Sequence, residues 1–151
     1  MLRAAGLPEA PSAAVARILV EGDLLGHSTH GLALLAPYVK EIEDGRMAID
    51  GSPQVLSDRG ASVLWDGGRL PGPWLVTQAI DVLMPRARQY GSASLVIRRS
   101  HHIACLASYL LQAIEADMLI VLACSDPAGR SVAPFGGTRA VFTPNPIAAG
   151  I

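Results

Sequence analysis

The chain is short of several things, and each shortage removes a class of protein. It has only two cysteines, Cys105 and Cys124, each inside an apolar run and without a cysteine partner at metal spacing. That excludes a disulfide framework and a thiolate zinc site, and a reducing, cytoplasmic setting follows as the default. Charge of one sign is also missing: 12 basic residues face 13 acidic ones, for a formal net charge of -1. Arg86, Arg88, Arg98 and Arg99 are scattered among apolar residues, so the basic stripe that nucleic-acid binding needs is absent. The first 26 residues carry Glu9, Glu21 and Asp23 and never reach an apolar span of membrane length or the layout of a signal peptide. No Walker A, G-x-S-x-G or H-E-x-x-H motif occurs, and "GGRLPG" at 67–72 has the wrong glycine spacing for a dinucleotide fingerprint.

What is present is enough for one ordinary core, since half of the 151 residues are hydrophobic. Ala14, Ile18, Leu19 and Leu25 recur at helical spacing in residues 11–25, behind Pro11 and Ser12 at a plausible start. In residues 32–45, Leu32, Leu35, Val39 and Ile42 share a face and Gly45 supplies the stop, with Pro37 confined to the first turn or to a kink. From Gln54 the pattern turns β-like: "QVLSD" and "SVLWDG" flank Arg59 and Gly60 as a hairpin. Residues 73–91 read as a helix, 92–98 as a strand, 105–117 as a helix and 118–124 as an all-apolar strand, which argues for a sheet covered by helices. The last residues, rich in Gly and Pro, read as loops around one short strand, "RAVFT". The expected class is mixed α/β, with a helical segment over 1–50 and an α/β domain over 51–151. An apolar ending, "NPIAAGI", predicts a domain incomplete at its C-terminus.

The candidate chemistry lies in two short stretches, "STHG" and "SHH". Each sets a histidine beside hydroxyls at the edge of an element. An imidazole, with an ordinary pKa of about 6.5, gives or takes a proton near neutrality, and a hydroxyl neighbour fixes its tautomer or orients a substrate oxygen. Spacing alone favours the plainer reading of caps and satisfied surface histidines. A metal site on His27, His30 and Asp23, serving a hydrolase, rests on histidine spacing only.

Taken in order, "GLPEAPSAAVARILVEGDLLGHSTHGLALLAPYVKEIEDGRM", "WDGGRLPG", "RRSHHIACLASYL" and "VAPFGGTRAVFTPNPIAAGI" change that balance. Over essentially all 151 residues the chain resembles the malate/L-lactate dehydrogenases of the second, non-Rossmann type, a family that includes ureidoglycolate and sulfolactate dehydrogenases and diketogulonate and imino-acid reductases. The resemblance implies the family's own α/β fold, a homodimer, a nicotinamide cofactor (NAD or NADP) and a small 2-hydroxy or 2-keto acid as substrate. The family's Ser-His-Gly matches Thr29, His30 and Gly31, which implies His30 as a proton donor. Its Ser-Asn-His-Phe-Gly is met by Ser100, His101, His102, Ile103 and Ala104, which implies His102 as a proton acceptor and leaves His101 as a neighbour shaping the site. If both adjacent rings are buried, protonating the two together is disfavoured, which helps to hold one neutral. Ser28, Thr29 and Ser100 are the expected substrate contacts, and Ser125, Asp126 and Asn145 the expected cofactor contacts.

Two departures bear on the substrate. Many members carry an arginine one turn after the Ser-His-Gly histidine, suited to a carboxylate; here that position is Leu34, and Arg130 and Arg139 are the substitute candidates. The family's Gly-Thr-Asn-Pro reads "TPNP" here. Members also continue past this point with segments that build much of the cofactor site, so a non-catalytic remnant that folds or dimerises without cofactor is the alternative reading.

Overall fold

The computed structural model of the chain describes residues 1–126 and 129–151. They fall into two compact units, Met1–Tyr109 and Leu110–Ile151. The change of pattern near residue 50 lies inside the first unit.

The first unit begins with α1 (Glu9–Leu24), two residues earlier than the sequence pattern predicts. Pro11 sits in the first turn, where its missing N–H costs nothing. Val15, Ile18, Leu19 and Gly22, at i, i+3, i+4 and i+7, form the buried stripe. A 3-10 turn over Leu32–Leu34 leads into α2 (Leu35–Glu43), with Pro37 in its first turn. The expected face of α2 is only partly right: the fully buried residues are Tyr38 and Ile42, while Leu32 is exposed. Residues with a polar anchor inside, as Tyr38 has, can claim the inner face from aliphatics.

The expected hairpin forms. Strands β1 (Gln54–Asp58) and β2 (Ser62–Asp66) pair antiparallel with a bulge between Val55 and Ser57. Asp58 accepts the Gly60 N–H at 3.0 Å across the turn, a local bond that acidic turn residues commonly make. Helix α3 (Gly72–Tyr90) then carries the chain over, and β3 (Ser94–Arg98) lies parallel to β2, giving the order β1-β2-β3. Gly91 ends α3 in the left-handed conformation at φ 82°. Val63 and Trp65 of β2 and Ala79 of α3 pack together, and Ile18, Leu19 and Leu75 are fully buried.

Three expectations fail beyond β3. The helix over 105–117 is broken into a 3-10 turn, Leu106–Tyr109, and one α-turn, α4 (Leu111–Ile114). Ala104 at φ 57° and Asp117 at φ 56° bound that stretch, and left-handed residues do not continue a helix. Strand β4 (Ile120–Ala123) pairs with β5 (Ile147–Gly150), not with β3, so the described residues form two sheets where the sequence predicts one. The residues of β5 look like a plain apolar ending in the sequence, because Ala148, Ala149 and Gly150 have little strand preference of their own. "RAVFT" supplies only an isolated bridge, Val132 to Phe142.

Asp66, 2% exposed at the end of β2, ties the sheet to the arginines at the end of β3. Its carboxylate accepts Nε of Arg99 at 2.8 Å, Nε of Arg98 at 2.9 Å and the Gly68 N–H at 3.0 Å. The Arg99 guanidinium, then the Gly68 amide and Arg98, hold its pKa down to about 2. An unfolded aspartate titrates near about 3.9, so the unfolded chain takes up this proton first as pH falls. The stabilisation is therefore complete above about pH 4 and disappears as pH drops toward about 2. Asp58, held to about 2 chiefly by Arg86, acts in the same window. Urea unfolding of Asp66→Asn should show a flatter loss of stability between pH 4 and 2 than the parent chain; equal slopes would remove Asp66 from this account.

Candidate active site

The turn that carries His30 is shaped by what α1 leaves open for it. Gly22, buried on α1, lies where a Cβ would press on the His30 carbonyl oxygen at 3.0 Å. Gly31 has no room for a side chain because the Asp23 carboxylate occupies the space, and Asp23 Oδ2 accepts the Leu32 N–H at 2.9 Å. Two glycines and an acidic cap thus fold Ser28–His30 back against the end of α1 as a 3-10 turn. Thr29 Oγ1 lies 3.0 Å from His30 Nδ1, and His30 is exposed.

The second histidine stretch is laid backbone to backbone on the loop after β2. Gly67 N–H donates to the Arg98 carbonyl, Arg69 N–H to that of Arg99 and His101 N–H to that of Leu70, at 2.8, 2.7 and 3.2 Å. At Gly72 a Cβ would run into the carbonyl oxygens of His101 and His102. Arg99 at φ 53° and Ala104 at φ 57° bracket the pair in left-handed backbone. For non-glycine residues that conformation costs about 1–2 kcal/mol each, and such strain gathers where function fixes geometry.

Helix α2 then separates the adjacent histidines by giving each its own anchor. Tyr38 and Glu41, three residues apart on one face, take one each. Tyr38 Oη lies 2.8 Å from His102 Nδ1 and 3.2 Å from the His102 carbonyl oxygen. Glu41 Oε2 lies 3.4 Å from His101 Nε2. The rings of His102 and His30 stack with centroids 5.8 Å apart and planes at 30°. Two histidines far apart in the chain therefore meet as stacked imidazoles at the surface.

The electrostatics distinguish the two neighbours. Burial pushes the His101 pKa down, while Glu41 partly restores it and the charges of Arg69 and Arg46 lower it further. His101 thus stays neutral around physiological pH. The cause is its own burial, not crowding against a second buried imidazole as adjacency suggests, because His102 is exposed. Glu41 is held below the usual carboxylate range, chiefly by its hydrogen bonds to Arg46. Burial pushes the Tyr38 hydroxyl well above the ordinary tyrosine value, so it keeps its proton.

Of the residues expected at the site, Ser28, Thr29, His30, Ser100 and His102 all lie in the first unit, and His30 and His102 are in ring contact. The Ser100 hydroxyl donates to the His101 carbonyl at 2.7 Å. Ser125, Asp126 and Asn145 lie in the second unit, where the Ala123 to Ile147 pair and the Cys124 N–H to the Pro146 carbonyl continue the β4–β5 ladder. The next residues on the two strands are Ser125 and Asn145, both exposed. A hydroxyl and a carboxamide at one open strand end, with the Asp126 carboxylate next in the chain, suit the hydroxyls and amide of a nicotinamide nucleoside. Arg130 and Arg139 also belong to the second unit. Asp23 serves the Leu32 amide, and among the described residues no group of three or more His, Cys, Asp or Glu is gathered to hold a metal.

Sequence reasoning missed Tyr38, Glu41, Arg69 and Gly72. Tyr38 and Glu41 share a helix face in "PYVKE", and a polar pair on an inward face is a signal the sequence does carry. Nothing in the sequence marks Gly72, whose role is a distant backbone contact.

The malate/L-lactate dehydrogenase family matches residues 1–151. The L-sulfolactate dehydrogenase of Methanothermobacter thermautotrophicus is 30% identical over 152 residues, covering 100% of this chain and 44% of that protein. Hydroxycarboxylate dehydrogenase B of Escherichia coli is 29% identical, covering 97% and 40%. Among solved structures, malate dehydrogenase from Pyrococcus horikoshii superposes with a TM-score of 0.88 at 30% identity, covering 98% of this chain and 42% of the other. The chain thus spans less than half the length of the relatives it matches, and the mixed α/β fold is theirs.

Gly72→Ala places a methyl against the backbone that carries both histidines. It should lower unfolding free energy by about 1–3 kcal/mol, as overpacking does, and displace the ring signals of His101 and His102 in an NMR spectrum. Unchanged stability and spectra would show that the two segments are not in contact.

Proposed function

The chain belongs to the malate/L-lactate dehydrogenase family, and we propose that it acts in moving a hydride between NAD or NADP and a small 2-hydroxy or 2-keto acid, as a cytoplasmic homodimer. The observation that carries this reading is the His30–His102 stack: two exposed imidazoles in ring contact, each with its own hydrogen-bond partner.

When bound, the cofactor supplies the hydride. The protein's own part is position and proton. As a substrate carbonyl is reduced, negative charge grows on its oxygen, and an imidazole N–H within hydrogen-bond reach delivers the proton that quenches it. In the oxidising direction the same imidazole, neutral, takes the hydroxyl proton. His30 and His102 are the groups we assign to this transfer. Ser28 and Thr29 stand on the His30 turn to contact substrate oxygens, and the Thr29 hydroxyl orients His30. Ser125, Asp126 and Asn145 would hold the cofactor's polar edge.

The acid's carboxylate needs a cation, and Leu34 cannot supply one. We assign Arg69. Its backbone lies alongside Arg99, its neighbour Leu70 accepts the His101 amide, and its charge acts on His101. One guanidinium N–H is spent on the Arg46 carbonyl at 2.8 Å, which leaves the two-pronged end for a carboxylate or sulfonate. The second reading is a chain that folds or dimerises without binding cofactor.

A thermal melt with NADH and with NADPH separates the two. Cofactor binding to the folded state alone should raise stability by about 2.7 kcal/mol at a concentration 100 times Kd, with the larger shift naming the preferred nucleotide. A cooperative melt unmoved by either favours the second reading. Where oxidation of malate, lactate or sulfolactate is measurable, His30→Ala or His102→Ala should lower turnover roughly 100-fold, and Arg69→Leu should raise KM for the acid more than it lowers kcat. Full turnover in both histidine variants would withdraw the assignment.

A further inference from the structure

The hydrogen bonds around His102 decide which of its two nitrogens handles a proton. Two groups meet at Nδ1. The Ala104 backbone N–H donates to it at 3.2 Å. The Tyr38 hydroxyl lies 2.8 Å from it, and Tyr38 is itself 2% exposed, with its ring edge toward both His101 and His102. A hydroxyl can serve as donor or acceptor, so Tyr38 alone would permit either tautomer. A backbone amide cannot: it only donates, and its hydrogen points at Nδ1. If Nδ1 carried a proton, two hydrogens would be aimed at each other in a half-buried place, at the cost of an unmade hydrogen bond.

From this we infer that Ala104 and Tyr38 together lock neutral His102 as the Nε2–H tautomer, so that Nε2 is the atom that gives and takes the proton, with Tyr38 a positioning residue. The inference rests on the acid/base reading of His102 for its functional meaning, but the tautomer stands or falls by itself. His101 is anchored in the opposite sense, through Nε2 to Glu41. Adjacent residues of one type are thereby held through different nitrogens: His102, through Nδ1, stacks on the His30 ring, while His101 is held through Nε2 with its Nδ1 buried.

The test is a long-range proton–nitrogen correlation spectrum of the nitrogen-15-labelled chain at a pH where the histidines are neutral, with His102 assigned by loss of its signals in His102→Ala. A nitrogen with a proton and a nitrogen with a lone pair resonate far apart, and a mixture of tautomers gives averaged positions. The expected result is a lone-pair Nδ1 and a protonated Nε2 for His102, with Tyr38→Phe moving both toward the average while His30 keeps its positions. A protonated Nδ1, or averaged signals in the parent chain, overturns the inference. Should the tautomer be as stated while His102→Ala keeps full turnover, the acid/base reading fails and the lock remains. A Tyr38→Phe spectrum identical to the parent's would assign the lock to Ala104 alone and remove Tyr38 from it.

Discussion

Everything at the histidine pair depends on a close backbone contact between two loops. The segment after β3 lies on the segment after β2 so tightly that Gly72 has no room for a side chain beneath the carbonyls of His101 and His102. Three successive amide-to-carbonyl bonds fix the approach, and the buried Asp66 carboxylate clamps the arginines at its start. Backbone bonds in a ladder leave little freedom along the strand direction. The backbone of His101 and His102 is therefore held by the loop after β2, which the sheet anchors.

Helix α2 adds what the sheet cannot, a distinction between two identical neighbours. Tyr38 offers a neutral hydroxyl and Glu41 a carboxylate, from one helix face, to adjacent rings. The consequence is chemical as much as structural. A carboxylate on Nε2 ties His101 into the Glu41–Arg46–Asp44 charge network, whereas a hydroxyl and an amide on Nδ1 leave His102 directional. The turn with His30 then only needs to fold back over α1, which Gly22 and Gly31 allow, for the two rings to stack.

Much of this is legible in the sequence where local rules dominate. Ile18 and Leu19 on the inner face of α1, the hairpin around Arg59 and Gly60 and the helix over residues 73–91 follow from periodicity and turn chemistry, whereas the parallel pairing of β2 with β3 across α3 does not. The motif order points to the family and to His30 and His102. The failures have a common cause, in that each is settled by a partner far along the chain or by backbone strain the composition hides. The Ala-rich β5 is a strand because β4 pairs with it. The run 105–117 has helical composition, yet it is split into a 3-10 turn and a single α-turn. Arg69, in a loop of glycines, gives no sign that it will lie beside the histidine segment.

The central claim is that His30 and His102 form one site for the oxygens of a 2-keto acid. Oxamate, an unreactive isostere of such an acid, tests it by titration into the labelled chain while the ring signals of all four histidines are followed. The account predicts that His30 and His102 move along a single saturating curve with one Kd, while His27, exposed and three residues from His30, stays in place. Independent curves for the two rings, or a shift of His27 as large as theirs, would contradict it.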